Sequence, residues 1–470
     1  MKKNLLFIFA DQWRRSALGI YNDEPAKTPN MDSFAHDSVV CTDSISACPL
    51  CSPARASLLS GLFPLKTGIF TNCKNGSDIH LKETDICIGD VLKENGYQNG
   101  YIGKWHLDEP EINYDPKPES GAVKWDAYTP VGPKRHGFDF WHVYNANDNH
   151  LHPHYWENSP KQIKVDKWSP EHETDIALDF MEKRDKTKPF CLFLSWNPPH
   201  SPYDTAPDKN KALFKDCNYI RPNVDLSRLS KTMHHTYEEV PMNEKSFREL
   251  VRNYYAAISG LDDQFKRVMD YLKENNLLDD TLVVITADHG DMLGSHTLIG
   301  KHVWFEESVG VPFIIGGAGL RHGKTGTVFS SQDVPSTLLS LMNIPIPKEW
   351  DGKDVSKDIE NGTTDEDSYT FIVNCPGRDI FIKAYKEAGK NILSFGWRAI
   401  RTRRYTYVIN AGYETEAKLE YYLYDNKEDP YQQHPLTGVD ARNSEIGKKL
   451  EPILLNWLKE QNDTFLVHLK

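Results

Sequence analysis

Cys51-Ser52-Pro53-Ala54-Arg55 sets a thiol and a guanidinium four positions apart. Ser52 suits a helix N-cap, and Pro53 suits the first helical position, where a missing N–H does no harm. Gly61 can close the helix in a left-handed turn. The spacing predicts a short helix with Cys51 at its N-terminus, where free backbone N–H groups favour an anion. Arg55 lies one turn along and can offer a forked donor to the same group. That is the chemistry of a held anion; the plainer alternative is a structural helix with an inert buried cysteine. A second set is spread along the chain. Asp11 and Gln12 follow the apolar run at 5–9, and Asp288 and His289 follow the run at 282–286. Sites in open α/β sheets form outside the carboxyl ends of strands, so two such acids can share one cation. Oxygen ligands favour calcium or magnesium, and His289 admits manganese or zinc. The alternative is that these acids are turn or cap residues.

The elements that must carry these groups alternate. The runs at 5–9, 190–194 and 282–286 read as buried strands, and 311–315 continues the series. Helical patterns occupy 29–39 after Thr28, 86–94 before Asn95-Gly96, 246–278 with Gly260 as its weak point, and 334–341. This predicts an α/β fold with a large mixed, mainly parallel sheet sandwiched by helices. The charged, glycine-containing stretch at 351–367 reads as a loop or linker. Strand-like pieces at 369–373, 397–400, 405–409 and 421–424, then a helix at 445–460, predict a smaller antiparallel sheet covered by one helix. The expected division is a catalytic domain over 1–365 and an α+β subdomain over 366–470.

A length of 470 residues accommodates both parts. The net charge of −12 argues against nonspecific nucleic-acid binding and requires local positive charge for any anionic substrate. No apolar run approaches the roughly 18 residues of a membrane span. The apolar run near the N-terminus stops at Ala10, and Asp11 follows without a small-residue cleavage pattern. The expectation is a cytoplasmic chain as written, or a periplasmic or secreted one if a leader has been removed. Eight cysteines show no disulfide-dense spacing, and the Cys48/Cys51 pair lacks a second pair for zinc.

The C-x-P-x-R stretch at 51–55 resembles the signature of the type I sulfatases, in the alkaline phosphatase superfamily. Further stretches resemble that family in its order. Gly103-Lys104-Trp105-His106 matches its G-K-W-H element, Pro199-His200-Ser201-Pro202-Tyr203 its P-H-x-P-[FY], and Gly300-Lys301 its late lysine. Arg398-Ala399-Ile400-Arg401-Thr402 and the stretch at 423–430 resemble its C-terminal subdomain. The resemblance implies an alkaline-phosphatase-like fold. It also implies that a maturation enzyme oxidises Cys51 to formylglycine, whose hydrate supplies the nucleophile. Asp11, Cys51, Asp288 and His289 would hold a divalent metal, Ca2+ first, with Mg2+ or Mn2+ as alternatives. Gln12 stands where many members have Asp; it removes one negative charge and can ligate through its amide oxygen. Lys104, Lys301 and Arg55 would oppose the sulfate's charge. His200 would protonate the leaving oxygen, and His106 would take the proton whose loss expels sulfate and restores the aldehyde.

The substrate is less sharply written. Residues 145–156 read NANDNHLHPHYW. His150, His152 and His154 would share one face of a strand, as a sugar-binding rim, a plain surface loop or a second metal site. Arg378 and Trp397 are candidates for the border of the cleft. The expected activity is hydrolysis of a sulfate monoester on a carbohydrate. A phosphonate or phosphate ester hydrolase of the same superfamily is the rival enzyme, and a glycan-binding protein with a decayed site is the non-catalytic alternative.

Overall fold

In the computed structural model, which describes residues 2–234 and 238–469, the first apolar run is the Asn4–Ala10 strand, central in an eight-stranded sheet. It pairs in parallel with Phe190–Trp196 on one side and Thr281–Ala287 on the other. Gln98–Lys104 and Phe140–Tyr144 extend the parallel set past Phe190–Trp196. Beyond Thr281–Ala287, Phe313–Gly316 runs antiparallel and pairs with Val39–Cys41, and Gly323–Thr325 closes that edge. The sheet is therefore mixed and mainly parallel.

Side chains alternate along a strand, so Leu5, Phe7 and Phe9 enter one core while Leu6, Ile8 and Ala10 enter the other. Helices Cys51–Ser60, Ile88–Glu94 and Asp333–Leu341 cover the first. Helices Pro29–His36, Ser169–Lys183 and Glu244–Glu274 cover the second. Strands burying both faces become continuous apolar runs, which is why those runs were readable. A separate five-stranded antiparallel sheet follows chain order from Tyr369–Asn374 to Leu436–Thr437. Helix Glu445–Glu460 covers one of its faces, with Trp457 stacked on Phe371 at 4.2 Å between ring centres. Ile372, Trp397 and Val408 on the other face pack against Ile45 and Val309 of the larger part.

Several elements depart from the sequence reading. The first helix stops at His36, and Val39–Cys41 is a strand, because a partner at Phe313–Gly316 offers β-branched Val39 and Val40 a ladder. The stretch at 351–367 contains the helix Ser356–Asn361, whose Ile359 is fully buried. Gly260 does not break Glu244–Glu274; it gives passage to Trp168, and a Cβ there would lie 2.6 Å from the indole. Helix Cys51–Ser60 begins at Cys51 itself, with extended Leu50 as N-cap. The Ser52 hydroxyl does not cap; it donates to the His106 carbonyl at 2.7 Å and accepts the Cys73 N–H at 3.1 Å. Pro53 is tolerated because first-turn N–H groups lack helical partners. Gly61 ends the helix at φ 63, as expected. Among the described residues no helix is long and apolar enough to cross a membrane.

Candidate active site

Parallel register sets Ala10 beside Ala287, so Asp11 and Asp288 leave the sheet side by side. Two buried carboxylates at that spacing need counter-charge, and Arg55 supplies it. Its Nε donates to Asp288 Oδ2 at 2.9 Å and its Nη2 to Asp11 Oδ2 at 3.2 Å. Nη1 donates to the Lys104 carbonyl and to Ser195 Oγ, at 2.8 and 2.9 Å. The fork expected to face an anion at residue 51 is thus occupied by the two acids.

Each acid turns its other oxygen inward. Asp11 Oδ1 lies 3.5 Å from Cys51 Sγ and 3.4 Å from His289 Nε2. His289 Nε2 lies 3.6 Å from Asp288 Oδ1 and 3.3 Å from Cys51 Sγ. His289 Nδ1 is 3.0 Å from the Gly290 carbonyl. That contact makes Nδ1 a donor and turns Nε2 inward, toward Cys51 and the two acids. These four buried residues place one donor atom each within 4.8 Å of one another. Ligands at right angles around a cation at about 2.3–2.6 Å stand about 3.3–3.7 Å apart, so the spacing of these four donors fits a divalent ion. Gln12, left-handed at φ 67, sits beside them. Its amide oxygen accepts from Lys301 Nζ at 2.7 Å, and its NH2 donates to Asp291 and Tyr203.

The cations surround this group. Lys104 Nζ lies 2.8 Å from Asp11 Oδ2 and donates to Asn197 Oδ1 at 3.0 Å. Lys301 Nζ donates to Cys51 Sγ at 3.2 Å. Cys51, Lys104, His106 and His200 line a cavity of about 610 Å³, with Trp125 and Asp148 in its walls. Both ring nitrogens of His106 are buried without a partner among the described residues. His200 Nδ1 lies 2.8 Å from the Ser201 carbonyl and 3.3 Å from Asp148 Oδ1. A larger cleft of about 1240 Å³ opens against the C-terminal sheet, but Arg15, Arg221 and Arg401 within it are paired with carboxylates. None of the groups around residue 51 reaches that cleft.

Burial and Asp11 push the Cys51 thiol up, but Lys301, Lys104 and His289 outweigh them and hold it well below the usual thiol range. Burial also opposes ionisation of Asp11, and Lys104, Lys301, His200 and Arg55 reverse that effect. Asp288 stays above the usual carboxylate range through burial and the neighbouring Asp11 charge. Burial lowers His106 despite an opposing contribution from Cys51, which favours the neutral ring.

The three histidines weighed as a sugar rim, a plain loop or a metal site, and the border candidates Arg378 and Trp397, do not line the cavity. Residues 150–153 form a loop, and only His154–Tyr155 is a strand, so no common histidine face exists. Buried His150 contacts the carbonyls of His200 and Ser201 at 3.1 and 3.3 Å. His154 Nε2 lies 2.8 Å from buried Asp126, and exposed His152 sits beside Asp166. Arg378 lies 3.6 Å from Glu238, and Trp397 is fully buried. Sequence reasoning passed over Ser195 and Asn197, although both stand at the carboxyl end of Phe190–Trp196, where the rule that found Asp11 and Asp288 applies equally.

Known proteins resemble this chain over nearly its whole length. The family profile described as Sulfatase matches residues 3–344. An endo-4-O-sulfatase of Bacteroides thetaiotaomicron is 32% identical over 497 residues, covering 98% of this chain and 92% of that protein. An ulvan-active sulfatase of Formosa agariphila is 32% identical over 472 residues, covering 99% and 82%. A solved structure from work on metabolism of multiple glycosaminoglycans by B. thetaiotaomicron superposes with a TM-score of 0.85 at 30% identity, covering 100% of this chain and 98% of that one. With the profile spanning the large sheet and every residue that surrounds position 51, the chain belongs to the sulfatase family and is a sulfuric ester hydrolase on an alkaline-phosphatase-like fold.

Proposed function

We propose that the enzyme hydrolyses a sulfate monoester on a carbohydrate, using a formylglycine derived from Cys51 and a divalent cation, calcium before magnesium or manganese. The observation that carries this reading is the convergence on Cys51 Sγ of Lys301, His289 and Asp11 at 3.2, 3.3 and 3.5 Å, at the wall of an open cavity. The carbohydrate assignment is supported by relatives named for endo-4-O-sulfate and ulvan. Asp11, residue 51, Asp288 and His289 would hold the cation, which supplies positive charge against the sulfate, while the aldehyde hydrate supplies the attacking hydroxyl.

The chain's own groups do the rest. Lys301, 3.2 Å from Cys51 Sγ, and Lys104, which lines the same cavity, set preorganised ammonium charge where a sulfate must be neutralised before attack. Arg55 acts through Asp11 and Asp288, so it is a positioning residue. Gln12 steadies Lys301 through its amide oxygen. His200, oriented by Asp148, gives a proton to the departing sugar oxygen. His106, neutral and without another partner, takes the proton released when residue 51 returns to its starting state. The net change is ester plus water to alcohol, sulfate and a proton. We assign catalysis to residues 1–365, and 366–470 to the subdomain that packs against them.

Three measurements test this. Mass spectrometry of active protein should find formylglycine at residue 51, and Cys51→Ala should abolish turnover with the fold retained. Full activity with an unmodified thiol refutes the mechanism. The active protein should release sulfate from 4-nitrophenyl sulfate and from members of a panel of defined sulfated sugars. Preference for phosphonate or phosphate esters in the same panel would assign the rival activity. Binding of sulfated sugars without turnover by matured, calcium-loaded protein would identify a decayed site.

A further inference from the structure

One wall of the catalytic cavity is a tight turn, Val123-Lys124-Trp125-Asp126, closed by the Asp126 N–H donating to the Val123 carbonyl at 3.1 Å. Its tip is exposed: Trp125 is 40% and Val123 is 59% accessible. Both side chains line the cavity and present apolar surface to it. The Trp125 indole stands over His106, with ring centres 6.0 Å apart. Lys124 takes a left-handed φ of 54, a conformation that glycine adopts far more readily. Lys124 forms no ion pair with any described residue. Lys104, the other lysine of the cavity, is tied to Asp11 and Asn197. Lys124 is therefore the cavity cation left for an outer ligand, in a chain whose net charge is −12.

The tip rests on a fixed base. Asp126 is fully buried, and its Oδ1 accepts the N–H groups of Ala127, Asn145 and Ala146 at 3.0, 2.9 and 3.2 Å. Its Oδ2 meets His154, and the Trp125 carbonyl accepts from Asn145 at 2.8 Å. An exposed, sterically unfavourable tip on a buried polar hub is a preorganised presentation of two side chains. His154 thereby bears on the substrate indirectly, by fixing the turn.

We propose that this turn is the subsite for the leaving sugar: the Trp125 indole packs against the pyranose, and Lys124 Nζ binds a second anionic substituent on that sugar or its neighbour. The substrate class is then an acidic glycan, with a carboxylate or a further sulfate close to the ester being cleaved. This rests on the carbohydrate-sulfatase reading above.

Lys124→Gly suits the left-handed turn while removing the amine, Lys124→Arg keeps the charge, and Trp125→Ala removes the aromatic face. Matured proteins are assayed on 4-nitrophenyl sulfate, a sulfated disaccharide with a uronate, its carboxyl-reduced counterpart, and a disulfated disaccharide without carboxylate. Lys124→Gly should lower the ratio of kcat/KM on an acidic disaccharide to that on the aryl sulfate by about tenfold, chiefly through KM, as for loss of a charged hydrogen bond. Lys124→Arg should restore most of that ratio, and Trp125→Ala should lower it for every disaccharide. Which acidic disaccharide responds identifies carboxylate or sulfate as the partner. An equal loss on aryl sulfate and disaccharides, or no loss on either acidic disaccharide, overturns the proposal. If wild-type protein cleaves no sulfate ester, the catalytic reading fails by itself. Calorimetry of the same disaccharides on Cys51→Ala protein then decides the subsite: a tenfold weaker affinity with Lys124→Gly supports it, and an unchanged affinity overturns it.

Discussion

Arg55 and Glu173 answer opposite charge problems in the same core. Arg55 spans Asp11 and Asp288 with three of its nitrogens engaged and takes one oxygen of each acid, while the second Asp288 oxygen accepts the Gln12 and His289 N–H groups at 3.1 and 2.8 Å. Lysine could not reproduce this fork, because a single ammonium cannot reach both carboxylates and a carbonyl in fixed directions. Glu173 has no such partner. It is fully buried, the Tyr155 hydroxyl donates to Oε1 at 3.0 Å, and Oε2 meets no described donor. Burial pushes its carboxyl from 4.5 up to about 8. Between those values the folded protein holds a proton that the unfolded chain has released. Stability contributed by this group is therefore complete at low pH and is lost as pH rises toward 8. Glu173→Gln has no such proton to lose. We expect it to flatten the dependence of unfolding free energy on pH across that window and to unfold at a higher temperature than wild type near pH 8.5, a difference of order a few kcal/mol. Thermal and urea unfolding at a series of pH values measure this; a mutant slope equal to wild type would remove the assignment.

Helix Glu244–Glu274 shows where local rules mislead. By propensity alone, Gly260→Ala should gain about 1 kcal/mol. The added Cβ would instead stand 2.6 Å from the buried Trp168 ring, so we expect a net loss of about 1–3 kcal/mol by urea denaturation. Adding Trp168→Phe to Gly260→Ala should recover part of it, and a double-mutant cycle with no coupling would count against the contact. The same contrast explains what the sequence disclosed. The central strands were legible because burial on both faces writes a continuous apolar run, and Asp11 and Asp288 followed from their place at strand ends. The C-x-P-x-R stretch announced the helix but not its register, since Ser52 finds a better partner in the His106 carbonyl than in its own helix. Val39–Cys41 was hidden because its partner, Phe313–Gly316, is remote in sequence. The histidines at 150, 152 and 154 read as one surface by period, but no strand spans them, and each took a different partner. Trp125 and Lys124 carried no pattern; only the closed turn places them at the cavity.

At the scale of the molecule, the cation-ready cluster joins three distant points: the end of Asn4–Ala10, the start of helix Cys51–Ser60, and the end of Thr281–Ala287. The unfolded chain cannot assemble that set, so a cation bound there stabilises the fold by mass action, about 2.7 kcal/mol at a hundredfold excess over Kd. We expect calcium added to exhaustively chelated protein to raise the melting temperature with the logarithm of its concentration. Chelation should lower sulfate release at least about a hundredfold, the loss associated with a major electrostatic stabiliser. The net charge of −12 also draws ions weakly over the whole surface, so ionic strength must be matched with a monovalent salt. Asp288→Asn separates the two effects. It removes one of the cluster's two carboxylates but changes the overall charge by only one, so specific binding should vanish while general ion attraction persists. Arg55 Nε then loses a buried carboxylate partner, so the variant's melting temperature is compared with and without calcium on its own metal-free baseline. If chelated and calcium-loaded wild-type proteins melt at the same temperature and release sulfate at the same rate, Arg55, Lys104 and Lys301 alone balance the two acids, and the cation must be withdrawn from the mechanism.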